Sequence, residues 1–442
     1  MAPVEVQPPA PDPQHDVLLD PAPGVGKGGG GIVSTRILFV TCHLPYPPYS
    51  GGRRREYELL RRAGRAFDMT LCAVSKTYDE DVANAPALKE HCRDVWVFPA
   101  EPRAGKLASS PEPAQLIRHH CPLLTEHVAR AVAGGSYDVV HVEGFYLMQH
   151  VPEPCPLPVL LVEQNVEYVL WRQRAATAFS KDDRDEAITE YLRTLEAETA
   201  AWARADLCAA LTPDDAAIMT AAAPGLDVRL VPDGVDHVPP AEPGAPGEPG
   251  HVVAFAANFA YQPNVDAALY LCHEIWPRVF RRIPHAHLLL VGNAPPPEVR
   301  RQGRRHNVVV TGRVPSVDPF LEKASVVVCP LRVGGGIKVK MLEAMSRGKA
   351  IVTTGVGAQG LGQFAGDAFL VEDHPAVFAH AVAALLSDEP ARRRLEERSR
   401  LAAAALPSWD DAAVFLGDCY RALVAGSVPS RGPLTTAGGA AG

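Results

Sequence analysis

Two glycine loops, each followed by charged residues, carry the clearest chemistry in this chain. The run HLPYPPYSGGRRRE sets Gly51 and Gly52 ahead of Arg53, Arg54 and Arg55. The run VVVCPLRVGGGIKVKMLEAM sets Gly334, Gly335 and Gly336 ahead of Lys338, Lys340 and Glu343, with Arg332 just before the glycines. Each loop leaves an apolar run and enters a helical segment. Glycine lets backbone N–H groups approach a ligand closely, and the helix N-terminus behind it favours negative charge. Two lysines beside that end add full positive charge. These types at this spacing suit an anionic ligand; an ordinary turn into a helix with solvated lysines is the plainer alternative.

A second group of polar residues follows two apolar runs: His141 and Glu143, then Glu163, Gln164, Asn165 and Glu167. In parallel α/β sheets, ligands bind outside the carboxyl ends of the strands. Glu143 and Glu163 are therefore candidate proton acceptors, with loop caps as the alternative.

The elements that must position these residues alternate regularly. Strand-like runs at 36–40, 69–74, 95–98, 139–142, 159–162, 207–211 and 228–231 are separated by helical segments. A Pro- and Gly-rich stretch at 239–250 interrupts the series. It resumes with strands at 252–256, 287–291, 308–311, 326–328 and 350–354, and with a helix expected over 264–283. Alternation of this kind predicts α/β architecture: two facing, Rossmann-like, doubly wound domains with an interdomain cleft. The expected division is a disordered segment at 1–34, a first domain at 35–238, a linker at 239–250 and a second domain at 251–407. A helix at 408–425 should pack back toward the first domain, ahead of a disordered tail at 426–442. The stripe Ile188, Leu192, Leu195 and Trp202 on a helix over 182–205 reads as core packing.

Composition narrows the function classes. The chain has 442 residues, 47% of them hydrophobic and 21% charged, with a formal net charge of −8. That balance argues against a general affinity for nucleic acid. Nine cysteines occur without a C-x-x-C pair, which suits a reducing compartment better than a disulfide framework or a zinc site. No run approaches the roughly 18 to 20 apolar residues that span a bilayer. The expected location is the cytoplasm. Arg53, Arg54, Arg55, Arg61, Arg62 and Arg65 make the first helix basic. It is either a solvated face or a surface attracted to an anionic membrane, which would put the protein at the inner face of that membrane. No Asp-x-Asp stands at a strand end, so no metal is expected.

Taken in order, HLPYPPYSGGRRRE, YDVVHVE, EQNVEY, LTPDD, VPDGVD, FAANFAYQPNVDAA, LLLVGNAPP, VVVTGRV and CPLRVGGGIKVKMLEAMSRGKAIVTT resemble the retaining family 4 glycosyltransferases. The closest subgroup is that of bacterial sugar transferases, and the resemblance covers roughly residues 36–424. It implies the B-type glycosyltransferase fold. It also implies transfer of a sugar, with retention, from a nucleotide sugar to a polysaccharide, lipid-linked or small-molecule acceptor. The donor would sit mainly against the second domain and the acceptor against the first, and no cofactor is implied because the nucleotide sugar is a substrate. By the same resemblance Glu343 accepts hydrogen bonds from ribose hydroxyls, and Gly335, Gly336 and Ile337 lie against the donor sugar and diphosphate. Lys340 matches a family lysine, and Gly51 and Gly52 form the first-domain loop; Lys338, Lys340 or Arg332 is the cation left for the diphosphate, a reading from residue type and not from the resemblance.

The chain also departs from the family pattern. The first of two motif glutamates falls on Gly335. The usual Arg and Lys after the first strand of the second domain are absent, and family histidines fall on Glu143 and Gln164. These departures keep two other functions in view: a nucleotide-sugar-binding scaffold without turnover, and a nucleotide-sugar epimerase on the same fold.

Overall fold

The computed structural model describes residues 34–102, 110–178, 180–236 and 251–426. The expected N-terminal segment up to residue 33, the linker 239–250 and the tail beyond 426 lie outside the described residues. Seven strands form the first sheet: β1 Arg36–Thr41, β2 Asp68–Ser75, β3 Asp94–Pro99, β4 Val139–Glu143, β5 Val159–Glu163, β6 Leu207–Ala210 and β7 Val228–Leu230. They run in the order β3-β2-β1-β4-β5-β6-β7. The second sheet holds β8 Val252–Ala256, β9 His287–Val291, β10 Val308–Val310, β11 Val326–Cys329, β12 Ala350–Thr353 and β13 Leu370–Val371. Its order is β10-β9-β8-β11-β12-β13. Every neighbouring pair is parallel. The α/β expectation of two doubly wound sheets is therefore met.

Strand order reverses between β1 and β4 in one sheet and between β8 and β11 in the other. At such a point the connections leave in opposite directions and open a crevice. One glycine loop follows β1 and the other follows β11, so both stand at these crevices. Helix α1 (Gly51–Ala63) follows the first loop. In chain order come α2 (Glu167–Thr177), α3 (Lys181–Arg204), α4 (Val339–Ser346) after the second glycine loop, and α5 (Trp409–Val424).

Continuous apolar runs become strands because both sheet faces are covered. In β1, Leu38 and Val40 enter one core cluster while Ile37 and Phe39 enter the other. Helix α5 closes the second of these clusters with Trp409, Leu416 and Tyr420. Its start is held by a capping box between Ser408 and Asp411.

One local expectation is met with a variation and another needs correction. The helix expected over 264–283 runs without a gap through Gln262–Tyr270, a π-helical turn at Leu271–Ile275, and Trp276–Arg282. Pro277 has no N–H to continue the α ladder, so the chain passes it with a wider turn. On α3, Trp202 is fully buried, but Ile188 and Leu192 are 43% and 58% exposed. The buried face instead carries Ala187, Glu190, Thr194, Glu198 and Ala201. Among the described residues no helix is long and apolar enough to cross a membrane.

The arginine run of α1 is also mostly internal. Arg53 pairs with Asp81 at 3.2 Å and Arg55 with Asp233 at 2.9 Å. Arg61 and Arg62 both pair with Glu58, and Arg62 reaches Asp410 at 2.9 Å. These guanidinium groups are committed to carboxylates of the protein itself.

Candidate active site

Loops at the strand ends of both sheets line one cavity of about 780 Å³. That volume falls within the range of small-molecule sites. Gly51, Gly52 and Gln164 contribute from the first domain, and Gly335, Ile337, Lys340 and Glu343 from the second.

The second glycine loop is tight where it must be. Gly336 has φ +59°, a left-handed conformation that costs glycine little. A Cβ there would stand 2.6 Å from the Gln164 carbonyl oxygen of the first domain. Gly335 has equally little room, since an added Cβ would meet Leu170 Cδ2 at 2.9 Å. Gly334 N–H donates to Gln173 Oε1 of α2 at 3.0 Å. The Asn165 amide nitrogen, turned toward the loop, donates to the Gly335 carbonyl at 2.9 Å. The loop of one domain thus rests directly on α2 of the other.

Helix α4 turns Val339, Lys340 and Glu343 toward the cavity. Lys340 Nζ lies 2.5 Å from Asn264 Oδ1 and 5.1 Å from the Phe255 ring centroid. Burial lowers the proton affinity of this ammonium from the ordinary lysine value. Glu343 Oε1 accepts from Arg54 Nη1 at 2.8 Å across the cleft. Arg54 also pairs with Asp236. Burial pushes the Glu343 carboxyl up, and Arg54 opposes that shift. Lys340 and Glu343 therefore offer a cation and an acceptor to whatever enters from this side.

Two expected site residues, Arg332 and Glu143, stand away from the cavity, and a third, Lys338, lines it with its ammonium turned to the loop. Lys338 Nζ donates to the carbonyls of Gly335 (2.9 Å) and Gly336 (2.6 Å) and to Gln359 Oε1 (3.1 Å). Its ammonium shapes the glycine loop, and burial pushes it down to about 8. Arg332 does not line the cavity. Its guanidinium pairs with Asp266 and stacks over the Tyr270 ring at 4.8 Å. Glu143 is buried behind the cavity wall, 3.0 Å from His141 Nε2 and 3.1 Å from Gln164 Nε2. Both carboxylate oxygens are committed internally, so Glu143 holds Gln164 in place without facing a ligand.

The other first-domain candidates divide similarly. Glu163 reaches the cavity but accepts from Trp202 Nε1 at 3.0 Å. Burial holds its carboxyl well above the usual range, because a buried site disfavours the charged form. Glu167 lines the cavity at the start of α2 and is pushed up by burial to about 7. The sequence reading missed Cys42 and His43, which follow β1 directly, and Arg313 and Asn258 in second-domain loops, all in the cavity wall. Cys42 and His43 lie just beyond a strand end, so the rule that singled out Glu143 and Glu163 applies to them too. Among the described residues no group of three or more His, Cys, Asp or Glu side chains is arranged to hold a metal ion.

Residues 250–388, which contain β8 to β13 and α4, match the family model described as "Glycosyl transferases group 1". This part of the second domain is similar to the group 1 glycosyl transferases. Over 135 residues the chain is 22% identical to an uncharacterized 44.6 kDa protein in the cps region of Klebsiella pneumoniae. That match takes in 29% of this chain and 35%, about a third, of the Klebsiella protein. Solved structures extend the likeness in fold to both domains. Sucrose-phosphate synthase from Thermosynechococcus elongatus aligns with TM-score 0.65 at 18% identity, covering 89% of this chain and all of that one. HepE from Anabaena, solved with UDP and glucose, aligns with TM-score 0.61 at 15% identity, covering 88% of this chain and all of HepE. TarM aligns with TM-score 0.54 at 10% identity, over 67% of this chain and 57% of TarM. At these identities the likeness establishes the fold, which is the B-type glycosyltransferase fold.

Proposed function

We propose that the protein transfers a sugar from a nucleotide-sugar donor, with retention, to a glycan or lipid-linked acceptor. The observation that carries this reading is the position of Lys340 and Glu343. They stand at the start of α4, in a group 1 domain, and face an interdomain cavity large enough for a nucleotide sugar. The HepE structures with UDP and with UDP-glucose favour a uridine nucleotide as the donor to try first.

The chemistry follows from charge. Transfer releases a nucleoside diphosphate, and a preorganised cation aimed at that developing charge lowers the barrier. Lys340 supplies the cation and the N–H groups of the glycine loop supply dipoles. Glu343 accepts from the ribose hydroxyls once Arg54 gives up its claim on the same oxygen. The acceptor enters along the first-domain wall, beside Gly52 and Gln164. In the retaining reading it attacks on the face that the diphosphate leaves.

Gly335 favours a second reading, a binder without turnover, because the family's sugar-contacting glutamate is missing there. Titration of the full chain with UDP-, GDP- and ADP-glucose, followed by a released-nucleotide assay, separates the two. Transfer predicts binding of one nucleotide class and slow release of its diphosphate. Binding without release supports the second reading, and no binding rejects both.

A further inference from the structure

Three side chains in the first-domain half of the cleft form a series that the proposed transfer does not use. Cys42 Sγ lies 3.2 Å from His43 Nδ1, and His43 Nε2 lies 3.1 Å from Glu56 Oε1. Glu56 is fully buried and held by Thr41 Oγ1 at 2.6 Å and Gln164 Nε2 at 3.0 Å. On its other side Cys42 Sγ accepts from Tyr146 Oη at 3.3 Å. The Tyr146 ring stacks on His119, with centroids 4.3 Å apart, and His119 Nε2 lies 2.8 Å from Lys76 Nζ. Cys42, His43 and Tyr146 all open onto the cavity. A thiol, an imidazole in contact with it and a carboxylate beside the imidazole together favour an activated nucleophile.

We propose that Cys42 is a thiolate modification site in the cleft wall, reacting with peroxides and other soft electrophiles. Of the nine cysteines, only Cys42 and Cys155 are not buried. Burial pushes the Cys155 thiol up. Burial would also raise Cys42, but His43 and His119 outweigh it and hold the thiol well below its usual range. Burial would lower His43, but Glu56 and Cys42 outweigh that and hold the imidazole well above its usual value. The charged and titratable groups that face Cys42 are His43, Glu56, Lys76, His119, Tyr146 and Glu167. His43, His119 and Lys76 favour the thiolate; Glu56 and Glu167 oppose it when ionised.

The reaction with a peroxide balances within this group. The thiolate attacks one peroxide oxygen, an S–O bond forms and the O–O bond breaks. Sulfur gives up two electrons and the peroxide gains them. The hydroxide that leaves takes the proton from His43 Nδ1 and departs as water. Cys42 is left as a sulfenic acid against the Tyr146 hydroxyl, close to the first glycine loop.

The test needs no sugar and stands apart from the proposed transfer. The full chain is alkylated with iodoacetamide across a pH series, and each cysteine is followed by peptide mass spectrometry. Cys42 should react first, with a rate that levels off below neutral pH. At pH near 6.5 His43→Gln should slow it roughly tenfold, because an ordinary thiol of pKa about 8.5 is mostly protonated there. Hydrogen peroxide followed by dimedone should label Cys42. If Cys42 reacts no faster than Cys155, or gains reactivity only near the pH of an ordinary thiol, the proposal is wrong. The wild-type pH curve decides this even if His43→Gln does not fold.

Discussion

Lys338 and Lys340 are two residues apart, yet their environments give them different work. Lys340 meets a single amide oxygen and an aromatic face on the cavity wall, whereas the Lys338 ammonium is used up on two carbonyls of its own loop and on Gln359. The spacing from the glycines made both lysines and Glu343 legible as a charged cluster. It could not say which lysine turns inward, because that depends on Gln359 and on the path of the loop. Arg332 shows the same limit, since its partner Asp266 is 66 residues away. Burial lowers Lys338 to about 8, against about 10.4 in an unfolded chain. Between those values the unfolded state binds more protons, so this group adds stability as pH rises through the window. Below pH about 8 its burial cost is fully present. We expect urea denaturation to show wild type gaining on Lys338→Met between pH 7.5 and 9.5; parallel curves would reject the assigned burial.

At the scale of elements, the glycine loop before α4 and the start of α2 are fitted to one another. Gly335 and Gly336 have no space for a side chain because Leu170, Asn165 and the Gln164 carbonyl stand in the way. A glycine triplet is legible in sequence as a close approach; its partner, 165 residues earlier, is not. Restoring the family residue with Gly335→Glu should push the loop off α2. Overpacking of this kind costs about 1–3 kcal/mol, which a fall in thermal midpoint would register. An unchanged midpoint would mean that the two elements do not press together. The two doubly wound domains and the cleft between them followed from alternation and from the apolar runs. The amphipathic face of α3 did not, because its inner side is built from alanines, Thr194 and the buried carboxylates Glu190 and Glu198. A buried carboxylate needs partners elsewhere in the chain, as Glu198 is satisfied by the N–H groups of Glu167 and Tyr168 at 2.8 and 2.9 Å.

Across the whole molecule, Arg54 joins the parts. It leaves α1 in the first domain, bonds Glu343 of the second, and pairs with Asp236 after β7. With Gln173 and Asn165 on the glycine loop, this contact holds the cleft in its present closure. Arg54→Met should loosen the pair of domains and raise the radius of gyration measured by small-angle X-ray scattering. An identical scattering profile would show that closure rests on the loop contacts alone. The same geometry makes Glu343 the residue on which the account turns, because it is held by Arg54 in this structure and offered to ribose in the proposed complex. The most direct test is calorimetric titration of wild type and Glu343→Gln with UDP-glucose. Wild type should bind measurably and the variant should lose roughly ten- to a hundredfold in affinity, the worth of a charge-assisted hydrogen bond. Equal affinity in the two proteins would contradict it.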